Sequence, residues 1–239
     1  MALGHAPSFA FDNILNFIDP FNPRCFDGTS ATMIDLFSQT SAIGNSLASI
    51  SSTQGISFGT NKNTFVATGT SFIDMSTSEY TKICWFNLDD VSSRQPLICG
   101  NNPRHYFWMN NTANLTMSHS GTRSAVAPTL SSTAGTTTLS TGIWYFGAAT
   151  WRSIAAPGAA IGNTGGRVYL NGRLDAINPT MGLGFSSTGS SYHYGSVTDP
   201  TISSPVLNGK ISYALIYRRV LSDQEILQIY NATKRRYGY

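Results

Sequence analysis

Hydrophobic and polar residues alternate with a period of two along much of the chain, and the last such segment, 210–217, is the clearest. Alternation among aromatic and β-branched residues is typical of a β-strand, because successive side chains point to opposite faces. Both faces of this segment are largely apolar: Ile211, Tyr213, Leu215 and Tyr217 on one, and Ser212, Ala214 and Ile216 on the other. We therefore predict a strand that is covered on both faces.

The period changes after this strand, and a helix is predicted to begin at Ser222. Glu225 follows three residues later, which is the spacing of a capping box, and Leu221 and Ile226 are placed to form a hydrophobic staple. Ile226, Ile229 and Tyr230 then form one apolar stripe. These signals predict one short helix near the C-terminal end of the sequence.

The predicted end of this helix is basic. Residues 234–236 read Lys-Arg-Arg, and Gly238 is a plausible stop signal. Cations at this end complement the helix dipole, which is the interpretation that we favour; a nucleic-acid contact is the alternative.

Further alternating segments predict many short strands, at 14–19, 55–58, 64–67, 80–88, 95–99, 104–109, 114–119 and 143–151. In segment 80–88, Ile83 and Trp85 are expected to face one way and Cys84, Phe86 and Leu88 the other. Asn171-Gly172 within 167–174 predicts a type I′ hairpin turn. We interpret 131–141 as a long loop or an exposed strand edge, 154–166 as a loop, and 179–205 as irregular.

Many short strands with a single helix indicate an all-β, two-sheet antiparallel sandwich with a jelly-roll path. The chain has 239 residues, a length that suits one such domain. Residues 1–12 lack periodicity and are predicted to be an N-terminal arm, which leaves residues 13–239 as the sandwich domain.

Composition argues against several classes of function. Only 11% of residues are charged and the net charge is +3, without the basic stripe expected of a nucleic-acid-binding protein. No apolar run reaches the 18 residues of a membrane helix, and no secretion signal is visible at the start of the sequence.

The three cysteines, Cys25, Cys84 and Cys99, have no metal-ligand spacing. We expect free buried thiols, as in a reducing cytoplasm, although Cys84 and Cys99 could face each other across a hairpin.

Three segments resemble a known family. Segment 209–238, GKISYALIYRRVLSDQEILQIYNATKRRYG, resembles the C-terminal end of concanavalin A-like (LamG/pentraxin-type) jelly-roll domains, in the variant found in tailed-phage, including cyanophage, virion proteins. The phrase Val-Tyr-Leu-Asn-Gly at 168–172 is also common in LamG-like domains. The family's opening is matched at Asp19, Asn22, Pro23, Asp35 and Leu36, with departures at 25–26, 33 and 37–39.

This resemblance implies a structural protein of a tailed-phage virion, assembled in the host cytoplasm. The expected role is capsid decoration or a place on the tail, as a homo-oligomer bound to other virion proteins. Nucleic acid and membrane are not among the expected partners.

The same fold occurs in glycoside hydrolases, so the resemblance also admits a catalytic role. A retaining glycosidase needs two carboxylates about 5 Å apart, and the sandwich glucanases carry a Glu-x-Asp-x-x-Glu pattern. This chain has only two glutamates, Glu79 and Glu225, and Glu225 is expected to cap the helix. No nucleophile elbow or metal-binding signature is present. We therefore expect no enzyme activity; a polysaccharide hydrolase is the least favoured alternative.

A carbohydrate-binding adhesin for host surface glycans is the stronger alternative. One candidate set comprises Tyr192, His193, Tyr194 and Asp199, placed in a presumed loop, where binding residues are often found. Trp108, with His105 and Tyr106, is a second candidate, although core packing is the more ordinary role for such aromatics.

No cofactor is expected. Asp19 and Asp35 could serve as calcium ligands, but we favour turn and cap hydrogen bonding, since calcium sites need several converging oxygens.

Overall fold

A computed structural model describes residues 12–29, 32–37, 41–44, 49–59, 65–68, 79–100, 105–120, 130–152, 165–181, 191–197 and 206–239. These residues form sixteen strands in two antiparallel sheets, with one helix near the C-terminal end. The two-sheet arrangement and the helix confirm the prediction. None of the helices in the described residues is long and apolar enough to span a membrane.

The first sheet contains eight strands, and we call it sheet one. Its strands are β1 (Ile14–Ile18), β4 (Ser49–Ser51), β5 (Gly55–Phe58), β7 (Glu79–Leu88), β12 (Trp144–Arg152), β13 (Gly165–Leu170), β14 (Arg173–Asn178) and β16 (Gly209–Tyr217). Their spatial order is β14-β13-β12-β7-β16-β5-β4, and β1 pairs with the second half of β16.

The second sheet, sheet two, also has eight strands. They are β2 (Thr32–Ile34), β3 (Ser41–Gly44), β6 (Phe65–Thr68), β8 (Gln95–Gly100), β9 (His105–Met109), β10 (Asn114–Ser120), β11 (Leu130–Thr138) and β15 (Ser191–Tyr194). Their order is β11-β10-β9-β8-β15-β6-β3-β2. The Ser/Thr-rich segment around 131–141 therefore supplies an edge strand, one of the two interpretations of that segment.

Strand β7 shows how the layers form. Cys84 and Phe86 point into the core between the two sheets, whereas Ile83 and Trp85 point to the outer face of sheet one, as predicted. Strands β12 and β16 pair with the two edges of β7, while sheet two covers its inner face and residues of the C-terminal helix cover its outer face.

Helix α1 (Asp223–Thr233) covers the outer face of sheet one. Ser222 and Glu225 form the predicted capping box, and Leu221 and Ile226 are both buried beneath the helix. The indole Nε1 of Trp85 donates a hydrogen bond to Oγ1 of Thr233 at 2.8 Å, which fixes the end of the helix on the sheet.

The basic residues lie beyond the last turn of α1, which corrects their predicted position. Lys234–Tyr237 form a 3₁₀ turn that ends at Gly238, whose φ is +88°. Arg236 pairs with the buried Asp19, and Nζ of Lys234 lies 5.4 Å from the centre of the Tyr230 ring. Two of the three basic side chains thus have structural contacts.

The predicted faces of β16 are partly wrong because the strand contains a bulge. The register shifts between Ser212 and Ala214, and Tyr213 has a φ of +47°. Ile211 therefore points into the core between the sheets, whereas Tyr213 packs beneath α1. Gly55 lies against the bulge: a Cβ there would be 2.6 Å from the carbonyl oxygen of Ile211.

The interpretation of 179–205 as irregular is also wrong in part. Residues 191–194 form β15, which lies inside sheet two between β8 and β6. The segment is only four residues long and follows a Gly- and Ser-rich stretch. Its alternation of polar and apolar residues is therefore too short to predict a strand.

The remaining local predictions concern the turn, the thiols and the arm. Asn171 and Gly172 have φ values of +49° and +77°, as a type I′ turn requires. The three cysteines are free and buried, as predicted. Of the predicted arm, 1–11 lie outside the described residues, and Asp12 forms an ion pair with Arg219.

Candidate functional site

The outer face of sheet two carries a small aromatic cluster. Tyr106 and Trp108 alternate with inward residues along β9 and pack with Cys99 and Val197. His193 shares this face, because it lies opposite Cys99 in β15, and Cys99 in turn lies opposite Tyr106. We call these five residues the outer aromatic face.

The polar atoms of this face are largely withdrawn from water. Trp108 is 5% exposed, and its indole N–H has no acceptor within the part of the chain that the structure describes. The guanidinium carbon of Arg94 lies 4.9 Å from the centre of the Trp108 ring, a cation–π distance. Burial lowers the pKa of His193, which favours the neutral imidazole at neutral pH.

Hydroxyl groups continue the face toward the edge of sheet two. Thr116 lies opposite Trp108, and Ser118 lies opposite Tyr106. The hydroxyl of Ser118 is 2.9 Å from that of Ser132 on the edge strand β11, where the side chain is exposed. The outer side of sheet two thus passes from buried aromatic side chains to the buried hydroxyls of Thr116 and Ser118, and it reaches an exposed hydroxyl at Ser132.

Three of the sugar-binding candidates among the described residues share this face. Tyr106, Trp108 and His193 lie on it, whereas Tyr192 and Tyr194 point into the core, where His105 contacts Lys82. Tyr194 donates a hydrogen bond to Asn16, so its ring has a structural role. Asp199 lies outside the described residues.

Sequence reasoning missed the contribution of Arg94, Thr116 and Ser118. The two hydroxyl residues could have been found from the short hairpin that joins β9 and β10. The length of that hairpin fixes the register of the two strands, and the register decides which residues lie opposite Tyr106 and Trp108. Arg94 gave no such signal, since it reaches Trp108 from the turn that precedes β8.

The two glutamates are both engaged in structural contacts. Glu79 pairs with Arg152, and Glu225 pairs with Arg219 while it caps α1. The hydrogen bond from Arg219 lowers the pKa of Glu225 to about 2.

Asp19 and Asp35 act as turn residues in the structure. Oδ1 of Asp19 accepts from the backbone N–H of Phe21 at 3.2 Å, and Oδ1 of Asp35 accepts from that of Phe37 at 2.8 Å. Among the residues described, no group of three His, Cys, Asp or Glu side chains is arranged to hold a metal ion.

Two antiparallel sheets packed face to face, with one short helix near the C-terminal end, form a concanavalin A-like sandwich. A family model described as "Concanavalin A-like lectin/glucanases superfamily" matches residues 58–227, and the chain belongs to that superfamily. A search of curated protein sequences found no match.

Solved structures share the fold at low identity. A sialidase from Trypanosoma rangeli is 11% identical with a TM-score of 0.62; the match covers 100% of this chain and 37% of the sialidase chain. The receptor-binding domain of botulinum neurotoxin mosaic serotype C/D is 12% identical with a TM-score of 0.64, over 93% of this chain and 51% of that chain. The chain thus spans about a third to a half of these proteins.

Proposed function

We propose that this chain is a non-catalytic structural protein of a tailed-phage virion, which acts by docking its folded surface onto other virion proteins. The observation that carries the proposal is the resemblance of segments 19–36 and 209–238 to that branch of the superfamily. The engagement of both glutamates in ion pairs is consistent with a role without catalysis. Its place would be on the outer capsid or the tail, as one copy among several.

The proposal is tested on purified particles of the phage whose genome encodes the chain. Mass spectrometry should find the chain at a fixed copy number, and immunogold electron microscopy should label either the head or the tail. Particles that lack the chain after gradient purification would contradict this proposal.

Glycan binding is the second candidate, and the outer aromatic face favours it. Aromatic rings stack on the apolar faces of sugars, while hydroxyl and guanidinium groups bond to sugar hydroxyls. The half-buried Arg94 lies over Trp108, and the exposed Ser132 carries a hydroxyl beside the same face, where it bonds to Ser118. The match to a lectin-containing superfamily supports the same candidate.

A glycan array followed by calorimetry tests this second candidate. Arg94→Gln and Trp108→Phe should each weaken binding about tenfold, which corresponds to about 1.4 kcal/mol. Trp144→Phe, which alters a half-buried Trp near the 3₁₀ turn on sheet one, is the matched control. Equal losses in all three variants, or no binding at millimolar glycan, would contradict the candidate.

Polysaccharide hydrolysis, the least favoured function, can be tested directly by measuring the release of reducing ends. Incubation with host envelope polysaccharide should release no reducing ends. If ends are released and Glu79→Gln abolishes the release, the chain is an enzyme.

A further inference from the structure

The outer side of sheet one carries an exposed apolar surface beside helix α1. Leu174 and Ile177 on β14 are each 45% exposed, and Leu227 on α1 is 41% exposed. Within the described part of the chain, β14 is an edge strand of sheet one and pairs only with β13. Scattered apolar residues are ordinary on a protein surface, whereas a contiguous group points to an interaction site. We call these three residues the edge patch.

The two strand residues share a face because β14 is bulged. Leu174 lies opposite Tyr169, which packs beneath α1. Ile177 lies opposite Arg167, which pairs with Asp223 of the helix. The register shifts between these two pairs, so that residues three apart in sequence point to the same side of the sheet. Both side chains therefore lie on the outer face, where α1 packs.

Leu227 lies on the side of α1 that faces this strand. Asp223, one turn before it, accepts a hydrogen bond from the hydroxyl of Tyr169 at 2.8 Å. Tyr230, one turn after it, packs on the turn between β13 and β14, where a Cβ on Gly172 would lie 2.9 Å from Cδ1 of the ring. Residues three and four apart share one side of a helix. The helix residue therefore borders the two strand residues.

Opposite charges lie at the two ends of the edge patch. At the beginning of β14, Arg173 is exposed and lies near Tyr230: burial raises the pKa of Tyr230, and the charge of Arg173 opposes that rise. At the end of β14, the side chain of Asp223 is 61% exposed. Its neighbour Arg167 lies 3.4 Å away but is only 22% exposed, so the acid is the more accessible charge. The patch is thus basic at one end and acidic at the other.

A surface with this arrangement is complementary to itself. A two-fold axis through its centre places the basic end of one copy on the acidic end of the other, and it packs the apolar side chains of both copies together. Two-fold dimers are the commonest symmetric assemblies, and their interfaces use the same surface on both subunits. The net charge of +3 on 239 residues adds little general repulsion between copies.

We propose that the edge patch joins two copies of this chain across a two-fold axis, with Arg173 of each copy against Asp223 of the other. The inference rests on the proposed function, which makes the chain one copy among several, and it names the surface through which two copies meet. Three half-exposed apolar side chains on each copy form a small interface core, so we expect a dimer of micromolar affinity.

Sedimentation velocity of the purified chain over a micromolar concentration series measures this association. We expect a shift from monomer to dimer as the concentration rises. Leu227→Gln removes an apolar group from the patch of each copy and should weaken dimerisation at least tenfold. Ile34→Gln, which changes a residue that is 43% exposed on sheet two, is the matched control and should dimerise as the wild-type chain does.

Charge reversals test the two-fold arrangement. Arg173→Asp places acids together at both ends of the dimer, and Asp223→Lys places cations together, so each variant alone should dimerise at least tenfold more weakly. An equimolar mixture of the two variants should recover dimers, because every end contact then joins a carboxylate to a cation. Arg24→Asp reverses an exposed charge outside the patch and should leave dimerisation unchanged.

A wild-type chain that remains monomeric throughout the series would overturn the proposal. Equal weakening in Leu227→Gln and Ile34→Gln would also overturn it, as would a mixture of the two charge variants that stays monomeric although circular dichroism shows both folded. If Asp223→Lys does not fold, Arg173→Asp decides, and dimerisation equal to that of Arg24→Asp would refute the pairing of the ends. Detection of the chain in purified particles tests the structural role separately, so the two proposals can fail independently.

Discussion

The hydrogen bond between Trp85 and Thr233 is the contact that most directly joins helix α1 to sheet one. Trp85 has no exposed surface, and its ring stacks on that of Tyr237 with 4.0 Å between the ring centres. Its Nε1 donates to Oγ1 of Thr233, which itself donates to the carbonyl oxygen of Ile229 at 2.8 Å. We predict strong energetic coupling between Trp85 and Thr233.

The magnitude follows from burial. Thr233→Val leaves the indole N–H buried without an acceptor, which costs about 1–3 kcal/mol of unfolding free energy. Trp85→Phe removes both the donor and part of a fully buried ring, at about 2–3 kcal/mol, below the ~3–5 kcal/mol of truncation to alanine. Once the donor is absent, Thr233→Val should cost less than about 0.5 kcal/mol, which gives a coupling energy between about 0.5 and 3 kcal/mol.

Denaturant unfolding followed by far-ultraviolet circular dichroism measures the four members of this double-mutant cycle. Trp151→Phe combined with Thr233→Val is the control, because Trp151 lies in the core between the sheets and not beneath α1. The control cycle should be additive. If the Trp85 cycle is also additive within about 0.5 kcal/mol, the contact does not hold the helix as described.

Three further predictions concern pH and the sheet edge. Burial raises the pKa of Cys25 to about 12 and that of Cys99 to about 11, so these thiols ionise at a lower pH in the unfolded chain than in the folded chain. Above pH 9 the unfolding free energy should therefore fall by about 1.4 kcal/mol per pH unit for each such thiol, and it should fall less steeply in Cys99→Ala. Since the pKa of Glu225 is lowered to about 2, Glu225→Gln should cost about 0.5–1 kcal/mol at pH 7 and less at pH 2, where about half of the carboxyl is protonated, as denaturant titrations at the two pH values would show. Asp175 accepts hydrogen bonds from the hydroxyls of two threonines of β11, and Asp175→Ala should cost about 1–2 kcal/mol, whereas Asp175→Asn recovers part of it; equal losses in thermal unfolding would argue against these bonds.

Local signals were sufficient wherever the interacting residues are close in sequence. The capping box needs only Ser222 and Glu225, three residues apart, and the type I′ turn needs only Asn171 and Gly172. The two faces of β7 could also be predicted from local sequence, because successive side chains of a pleated strand point to opposite faces of the sheet. These predictions were confirmed because nothing distant has to be known to make them.

The candidate site was predictable only in part. Trp108 and His193 were identified as aromatic or polar residues of interest, but their common face depends on the pairing of β15 with β8 and of β8 with β9. Tyr192 and Tyr194 were assigned to a surface loop, whereas β15 is an interior strand whose alternation turns both rings into the core. Short strands carry too little pattern to reveal such a position.

By itself, the sequence determined the class of fold, the single capped helix, the hairpin turn and the presence of free thiols. These features depend on periodicity, turn chemistry and composition, all of which act over a few residues. Only the tertiary structure decided that β16 bulges at Tyr213, where Gly55 packs against it, and that Lys82 meets His105 between the sheets. Both arise from contacts between strands far apart in the chain, and a one-dimensional pattern does not specify which strands will become neighbours.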